Sequence, residues 1–260
     1  VKIDVSAGGA GKGITDVLSK MTDIGLVSRD LNSEELKKGA FSFSVTRDAV
    51  VPTVSASNPE LQQVLARGLK KQEFYDLFIS GKIKNWNELG LTLNTPLHVY
   101  TRSDAAGAAE TWAKYFGKKQ EDLQGTAVFG DPGLAQAVQK DPSGIGFNNL
   151  TYVYDVNTHK PSNGVLPVPI DLNDNGKIDA DENFYDNIDQ IVTAITEGRY
   201  PSPPARELYF VTNGQPGNEA VIEFIRWVLT DGQKFVKEGG YIKLSDAQLK
   251  NETDKLVLKK

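Results

Sequence analysis

The chain has 260 residues, a length that fits one large domain or two ordinary ones. Apolar residues make up 39% and charged residues 24%, which supports a packed core and excludes wholesale disorder. A net charge of −5 lacks the basic excess of a nucleic-acid binder, and no run approaches the ~18 apolar residues that a membrane span needs.

The opening reads as strand, glycine loop, helix. Val1, Ile3 and Val5 alternate with Lys2 and Asp4, SAGGAGKG breaks the pattern, and Ile14, Val17, Leu18 and Met21 follow at helical spacing. A short apolar stretch, Ile24 to Val27, ends at Ser28-Arg29-Asp30, and Asn32 or Ser33 caps a helix through Leu36. Phe41 to Val54 reads as strand, followed by helices from about Glu60 to Gly68 and Lys71 to Ser80. Residues 96 to 116 repeat the opening pattern as strand PLHVYT, loop RSDAAG and helix AAETWAKYF. DPGLAQAVQKDPSGIGFNN then reads as helix, turn and strand, and Val165 to Ile170 as strand. Asp171 to Glu182 is a polar loop before a helix from Asn183 to Thr196. A proline-rich segment leads to a strand at Leu208 to Val211 and to helices at Glu219 to Leu229 and about Asp231 to Glu238. The tail NETDKLVLKK is weakly patterned and expected to fray. Strands alternating with helices predict an α/β protein with largely parallel sheets.

The absence of cysteine excludes thiol nucleophiles, disulfides, Cys-ligated zinc and iron–sulfur clusters, and with one methionine it suits an exported bacterial protein. The two histidines, His98 and His159, have no acidic or serine partner placed by a motif, and both read as structural or exposed. Trp86, Trp112 and Trp227 lie in amphipathic stretches and read as core. No nucleophile–base pair or paired catalytic carboxylates can be named, so an enzyme is not expected.

Two glycine loops could hold an anion. In SAGGAGKG, backbone N–H groups can crowd a ligand at a helix start. Ser6 and Gly13 break the phosphate-loop template of nucleotide hydrolases, and Ile14 breaks the dinucleotide pattern. By itself the segment reads equally well as a tight turn without ligand. In Arg102-Ser-Asp-Ala-Ala-Gly-Ala108 a guanidinium stands beside a second helix start. It can grip an oxyanion with parallel hydrogen bonds while Asp104 holds it in place.

The most specific local motif is Asp171 to Glu182. It fits an EF-hand loop at positions 1, 3, 5, 6, 8, 9 and 12, with Asp171, Asn173, Asn175, the Lys177 carbonyl, Asp179 and Glu182 as oxygen ligands for a structural Ca²⁺. The alternative is an Asp/Asn/Gly-rich surface turn. The preceding segment reads as strand, so this would be an EF-hand-like loop only.

Six ordered stretches carry a resemblance: GGAGKGITDVLSKMTDIGLVSRDL, FSFSVTRDAVVPTVSASNP, FISGKIKNWNELG, VYTRSDAAGAAETW, DPGLAQAVQKDPSGIGFNN and GQKFVKEGGYIKL. Together they resemble the periplasmic phosphate-binding protein of bacterial and archaeal phosphate ABC importers. The resemblance implies a type II periplasmic-binding-protein-like α/β fold of two lobes joined by two crossing segments, with the ligand cleft between them. It implies a discontinuous first lobe of residues 1–50 and 206–260, and a second lobe of 51–205 that includes the calcium-type loop at 171–182. Carried over by residue, the oxyanion site comprises Gly9, Ala10, Gly11, Ser28, Arg29, Arg102, Asp104, Ala106, Gly107 and Ala108. Ala10, Ala106 and Ala108 stand where the family usually presents serine or threonine hydroxyls, and Ser28 where some members carry aspartate. The family's first strand and loop have no counterpart ahead of Val1.

The resulting expectation is an extracytoplasmic solute-binding protein, non-enzymatic and monomeric, that captures phosphate or a similar oxyanion for an ABC importer permease. It would work in the periplasm or at the extracellular face of the membrane, with a lipid anchor ahead of Val1 left open. The alternative is an oxyanion sensor or calcium-stabilised surface interaction protein with a degenerate cleft.

Overall fold

A computed structural model describes residues 2–6, 8–162 and 164–256. Along the chain run α1 (Ala10–Leu18), β1 (Gly25–Val27), α2 (Ser33–Lys37), β2 (Ala40–Ser55), α3 (Leu61–Arg67), β3 (Leu69–Lys70) and α4 (Lys71–Phe78). Next come β4 (His98–Arg102), α5 (Gly107–Tyr115), β5 (Thr126–Val128), α6 (Gly130–Lys140), β6 (Gly144–Asn149) and α7 (Leu150–Val153). The last are β7 (Val165–Pro167), β8 (Ile170–Asp171), α8 (Ile188–Thr196), β9 (Ala205–Asn213), α9 (Glu219–Leu229) and α10 (Asp246–Asp254). The chain divides into two compact units. One is Val1–Asp48, Ala105–Gly107 and Arg206–Lys260; the other is Ala49–Asp104 and Ala108–Ala205.

In the first unit β1 pairs antiparallel with β9, in the register Gly25 to Val211 and Val27 to Tyr209. The apolar spacing of α1 buries Ala10, Ile14 and Val17 against Val27, Ala40 and Val211. Glycines set how closely α1 lies on β1. A Cβ at Gly13 would stand 2.6 Å from the Leu26 carbonyl oxygen, so only hydrogen fits there. A second cluster joins Phe43 and Val45 of β2 to Val221, Ile225 and Leu229 of α9 and to Leu249 and Leu256.

In the second unit β6 pairs antiparallel with β2 and parallel with β4, and β4 pairs parallel with β5. β7 adds to β2 antiparallel. Its core centres on Trp112, with ring centroids 5.4 Å from Phe74, 5.5 Å from Phe78 and 5.9 Å from Phe147. Arg102 is the last residue of β4, so the loop after it opens at the C-terminal end of parallel strands.

Several expectations require correction. The sheet is mixed rather than largely parallel, because the 16-residue β2 takes antiparallel neighbours. Residues 2–6 form no strand: they pair with no neighbour among the described residues, and Ile3 and Val5 are exposed. Val1 lies outside the described residues. The helix expected from Asn183 begins only at Ile188, where the Asn187 side chain accepts from the Gln190 N–H. The intervening chain instead buries Phe184 and Tyr185, whose backbone carbonyl accepts from the Tyr154 hydroxyl at 2.9 Å. Trp227 is 45% exposed rather than core, stacked on Phe224 and tilted against Phe235. NETD in the tail is helical, because Ser245 and Gln248 cap α10 reciprocally and Leu249 enters the core; residues 257–260 lie outside the described residues. The histidines lie at the surface, as expected, and each pairs with a carboxylate distant in the chain, His98 with Asp141 at 2.7 Å and His159 with Asp189.

Candidate functional site

The first unit gathers most of the sequence-predicted anion residues. Gly9 precedes α1 in an extended conformation, and no side chain caps the helix. The first-turn N–H groups at Ala10 and Gly11 are therefore available to a ligand, and the helix dipole favours an anion there. A Cβ on Gly9 would collide with the carbonyl oxygen of Ala105, and one on Gly107 would collide with the Ser28 hydroxyl. Glycine at both positions lets the 105–107 segment lie against the glycine loop and the end of β1. Ser28 is half-buried, and no hydrogen bond to its hydroxyl is made among the described residues.

Arg29 stands next to Ser28 but serves a different contact. Its guanidinium forks onto Glu35, with Nη1 to Oε2 at 2.9 Å and Nη2 to Oε1 at 2.7 Å. The same Glu35 carboxylate accepts from the Asn32 N–H at 2.9 Å, closing a capping box on α2. The Arg29 hydrogen bond, above all, holds the Glu35 carboxyl below its usual range. Arg29 thus braces the loop that presents Ser28.

Arg102, Asp104 and Ala108 belong to the second unit. The Arg102 side chain is 4% exposed and is bound from two sides. Asp104 takes its Nε at 2.9 Å and Nη2 at 2.6 Å, while Asp131 takes Nη1 at 2.5 Å. Asp104 also accepts from the Gly130 N–H at 3.1 Å, and its carbonyl accepts from Gln120 Nε2 at 2.6 Å. Burial alone would raise the Asp104 carboxyl. Arg102 and the Gly130 N–H outweigh it and hold the carboxyl below its usual range. The expected bracing of Arg102 by Asp104 is thus present as a bidentate pair. Asp131 and Gln120 were not found from sequence, because no motif links them to positions so far away in the chain. Ala106 and Ala108 are buried and, like Ala10, carry no side-chain donor.

The loop 171–182 is held by its own hydrogen bonds. Asp171 accepts from the N–H groups of Asn175 at 3.2 Å and Gly176 at 2.7 Å. Glu182 accepts from Leu172 at 2.8 Å and Asn173 at 3.1 Å, and from Asp179 at 3.1 Å. Asp179 takes the side-chain amides of Asn173 and Asn175 and pairs with the Lys177 ammonium at 2.7 Å, which together hold its carboxyl down at about 2. Among the described residues no three His, Asp or Glu side chains are grouped to share an ion. The ligand set fits calcium in residue type and spacing but not in arrangement. Both asparagines present N–H rather than oxygen to Asp179, and the expected exit helix is displaced to Ile188.

A family model for the PBP superfamily domain matches residues 1–232. A phosphate-binding protein PstS of Xylella fastidiosa is 27% identical over 94% of this chain and 74% of its own length. One from Methanocaldococcus jannaschii is 24% identical over 90% of this chain and 72% of its own. Among solved structures, a substrate-binding protein from Clostridium perfringens with bound phosphate superposes with a TM-score of 0.71 at 23% identity, covering 91% of this chain and 85% of that one. An ABC-type phosphate transport receptor from Vibrio cholerae gives 0.65 at 19% identity, over 91% and 86%. With the helix-start glycine loops and the two α/β units, the match over most of its length shows that the chain belongs to the PBP superfamily.

Proposed function

We propose that this protein is a non-enzymatic solute-binding protein that captures phosphate outside the cytoplasm and delivers it to an ABC importer permease. The observation that carries the reading is Arg102, buried at the C-terminal end of a parallel strand and forked onto Asp104. A guanidinium held this way meets an oxyanion without paying the entropy of ordering a long side chain. In the first unit, Gly107 lies against Ser28, where a side chain would collide with the Ser28 hydroxyl. Relatives named as phosphate-binding proteins support phosphate as the ligand and a permease as the partner. A monomer and a lipid anchor remain part of the proposal.

Calorimetric titration with inorganic phosphate tests the reading. The expected result is saturable heat near 1:1 stoichiometry, weakened by Arg102→Ala by about 2–5 kcal/mol, the range for truncating one partner of a buried charge pair. Arg102→Lys, which keeps the charge but loses the fork, should also weaken binding. Saturable heat with another oxyanion and none with phosphate would reassign the ligand.

Ala10, Ala106 and Ala108 favour a second reading, an oxyanion sensor or surface interaction protein with a weakened site. Binding too weak to saturate at millimolar phosphate, in the presence of a folded protein, would favour it. The calcium proposal for residues 171–182 stands on ligand type and spacing. It requires the Asn173 and Asn175 amides to turn their oxygens inward and Lys177 to release Asp179.

A further inference from the structure

We infer that Asp131 sets the anion affinity of the 102–108 loop by occupying Arg102 as a built-in counter-ion, so that an incoming oxyanion competes with a carboxylate of the protein itself. The inference rests on the phosphate reading above. A guanidinium has five N–H donors in a fixed fork. Here Asp104 takes Nε and Nη2, and Asp131 takes Nη1.

The two carboxylates are held differently. Asp104 is tied to the loop by the Gly130 N–H and, through its own carbonyl, by Gln120. It belongs to the frame. The Asp131 carboxylate hydrogen-bonds only to Arg102 among the described residues, from the first turn of α6, with the Tyr152 hydroxyl near enough to feel its charge. Its side chain is 24% exposed against 4% for Arg102, so Asp131 is the more accessible member of the pair.

The charges make the consequence direct. One guanidinium and two carboxylates sum to −1, so a phosphate reaching for Arg102 meets a net negative cluster. It must either displace a charge-assisted hydrogen bond or sit beside the carboxylate that makes it. Asparagine at this position would keep an oxygen to accept from Nη1 and would remove the charge. Sulfate and phosphate share the recognition chemistry and should both respond.

The test is titration of inorganic phosphate, and in parallel sulfate, into the full chain as wild type, Asp131→Asn and Asp131→Glu. Asp131→Asn is expected to tighten phosphate about tenfold at low salt, the scale of one like charge removed from within several ångströms at an intermediate dielectric. Asp131→Glu should stay near wild type. Raising the ionic strength should shrink the gap, which a purely structural role would not do. Asp131→Ser, also uncharged, repeats the test should asparagine unfold the protein. Unchanged or weaker binding in the neutral variants, with wild type binding phosphate normally, overturns the inference and leaves the phosphate reading intact. Binding gained only in the neutral variants supports the inference and restricts the phosphate reading. No phosphate or sulfate binding in any variant overturns both.

Discussion

At the scale of residues, the two arginines flagged by the sequence do different work. Arg102 and Asp104 stand two positions apart, so their fork was legible as a local pattern. Arg29 also reads as a ligand residue, and Glu35, six positions on across a capped turn, takes both of its terminal nitrogens. The pairing yields a pH prediction. The Arg29 fork lowers the folded-state pKa of Glu35 below its unfolded value. Such a carboxylate contributes stability above the unfolded pKa and loses it as pH falls through the folded one. Glu35→Gln should therefore cost about 1 kcal/mol at pH 7 after allowance for solvent screening, and the difference should vanish below the depressed pKa. Thermal melts of both proteins at pH 7 and in acid check the sign. A cost that persists in acid would mean packing rather than charge.

At the scale of elements, glycine spacing determines how closely α1 lies on β1. Gly13 faces the Leu26 carbonyl oxygen, and Gly25 faces the Gly13 carbonyl oxygen. Gly13→Ala must push the helix away from the strand, and overpacking of this kind costs about 1–3 kcal/mol. Denaturant unfolding should show that loss. An unchanged midpoint would mean that α1 shifts freely. Most elements were legible because they are written in local chemistry: α9 in its apolar period, β2 in its β-branched run, α6 and β6 in the turn between them. The failures share a cause. Residues 2–6 alternate like a strand, but alternation supplies no partner, and the described chain places none beside them. Residues 183–187 lead into a helix, but the chain there buries Phe184 and Tyr185, and the Asn187 cap starts α8 only at Ile188. The mixed sheet follows from which strands β2 meets, a long-range fact that local patterns do not carry. The same limit hid Asp131, whose pairing with Arg102 exists only once β4 and α6 are packed.

At the scale of the whole molecule, the loop 171–182 is the segment whose role can be separated from anion binding. It is fastened into the second unit at its start and in its middle. β8 pairs parallel with β3, the Ile178 N–H donates to the Ala66 carbonyl at 3.0 Å, and the Ile178 side chain lies over Gly68. Asp171 and Glu182 are almost fully buried, so their carboxylates weigh on the stability of that unit. An ion binding only the folded chain stabilises it by RT ln(1 + [L]/Kd), about 2.7 kcal/mol at a hundredfold excess over Kd. For a chain of this size that corresponds to a rise in Tm of about 5–10 °C. If the loop rearranges to bind calcium as proposed, calcium should raise the melting temperature, chelator should lower it, and the phosphate affinity measured by calorimetry should stay nearly constant. Asp171→Asn with Glu182→Gln should abolish the calcium response. Melting curves that coincide in calcium and chelator would assign the loop's order to its N–H network alone, which already satisfies both buried carboxylates. Loss of phosphate binding in chelator would instead tie the loop to the anion site, against the separate role argued from its anchoring on α3 and β3.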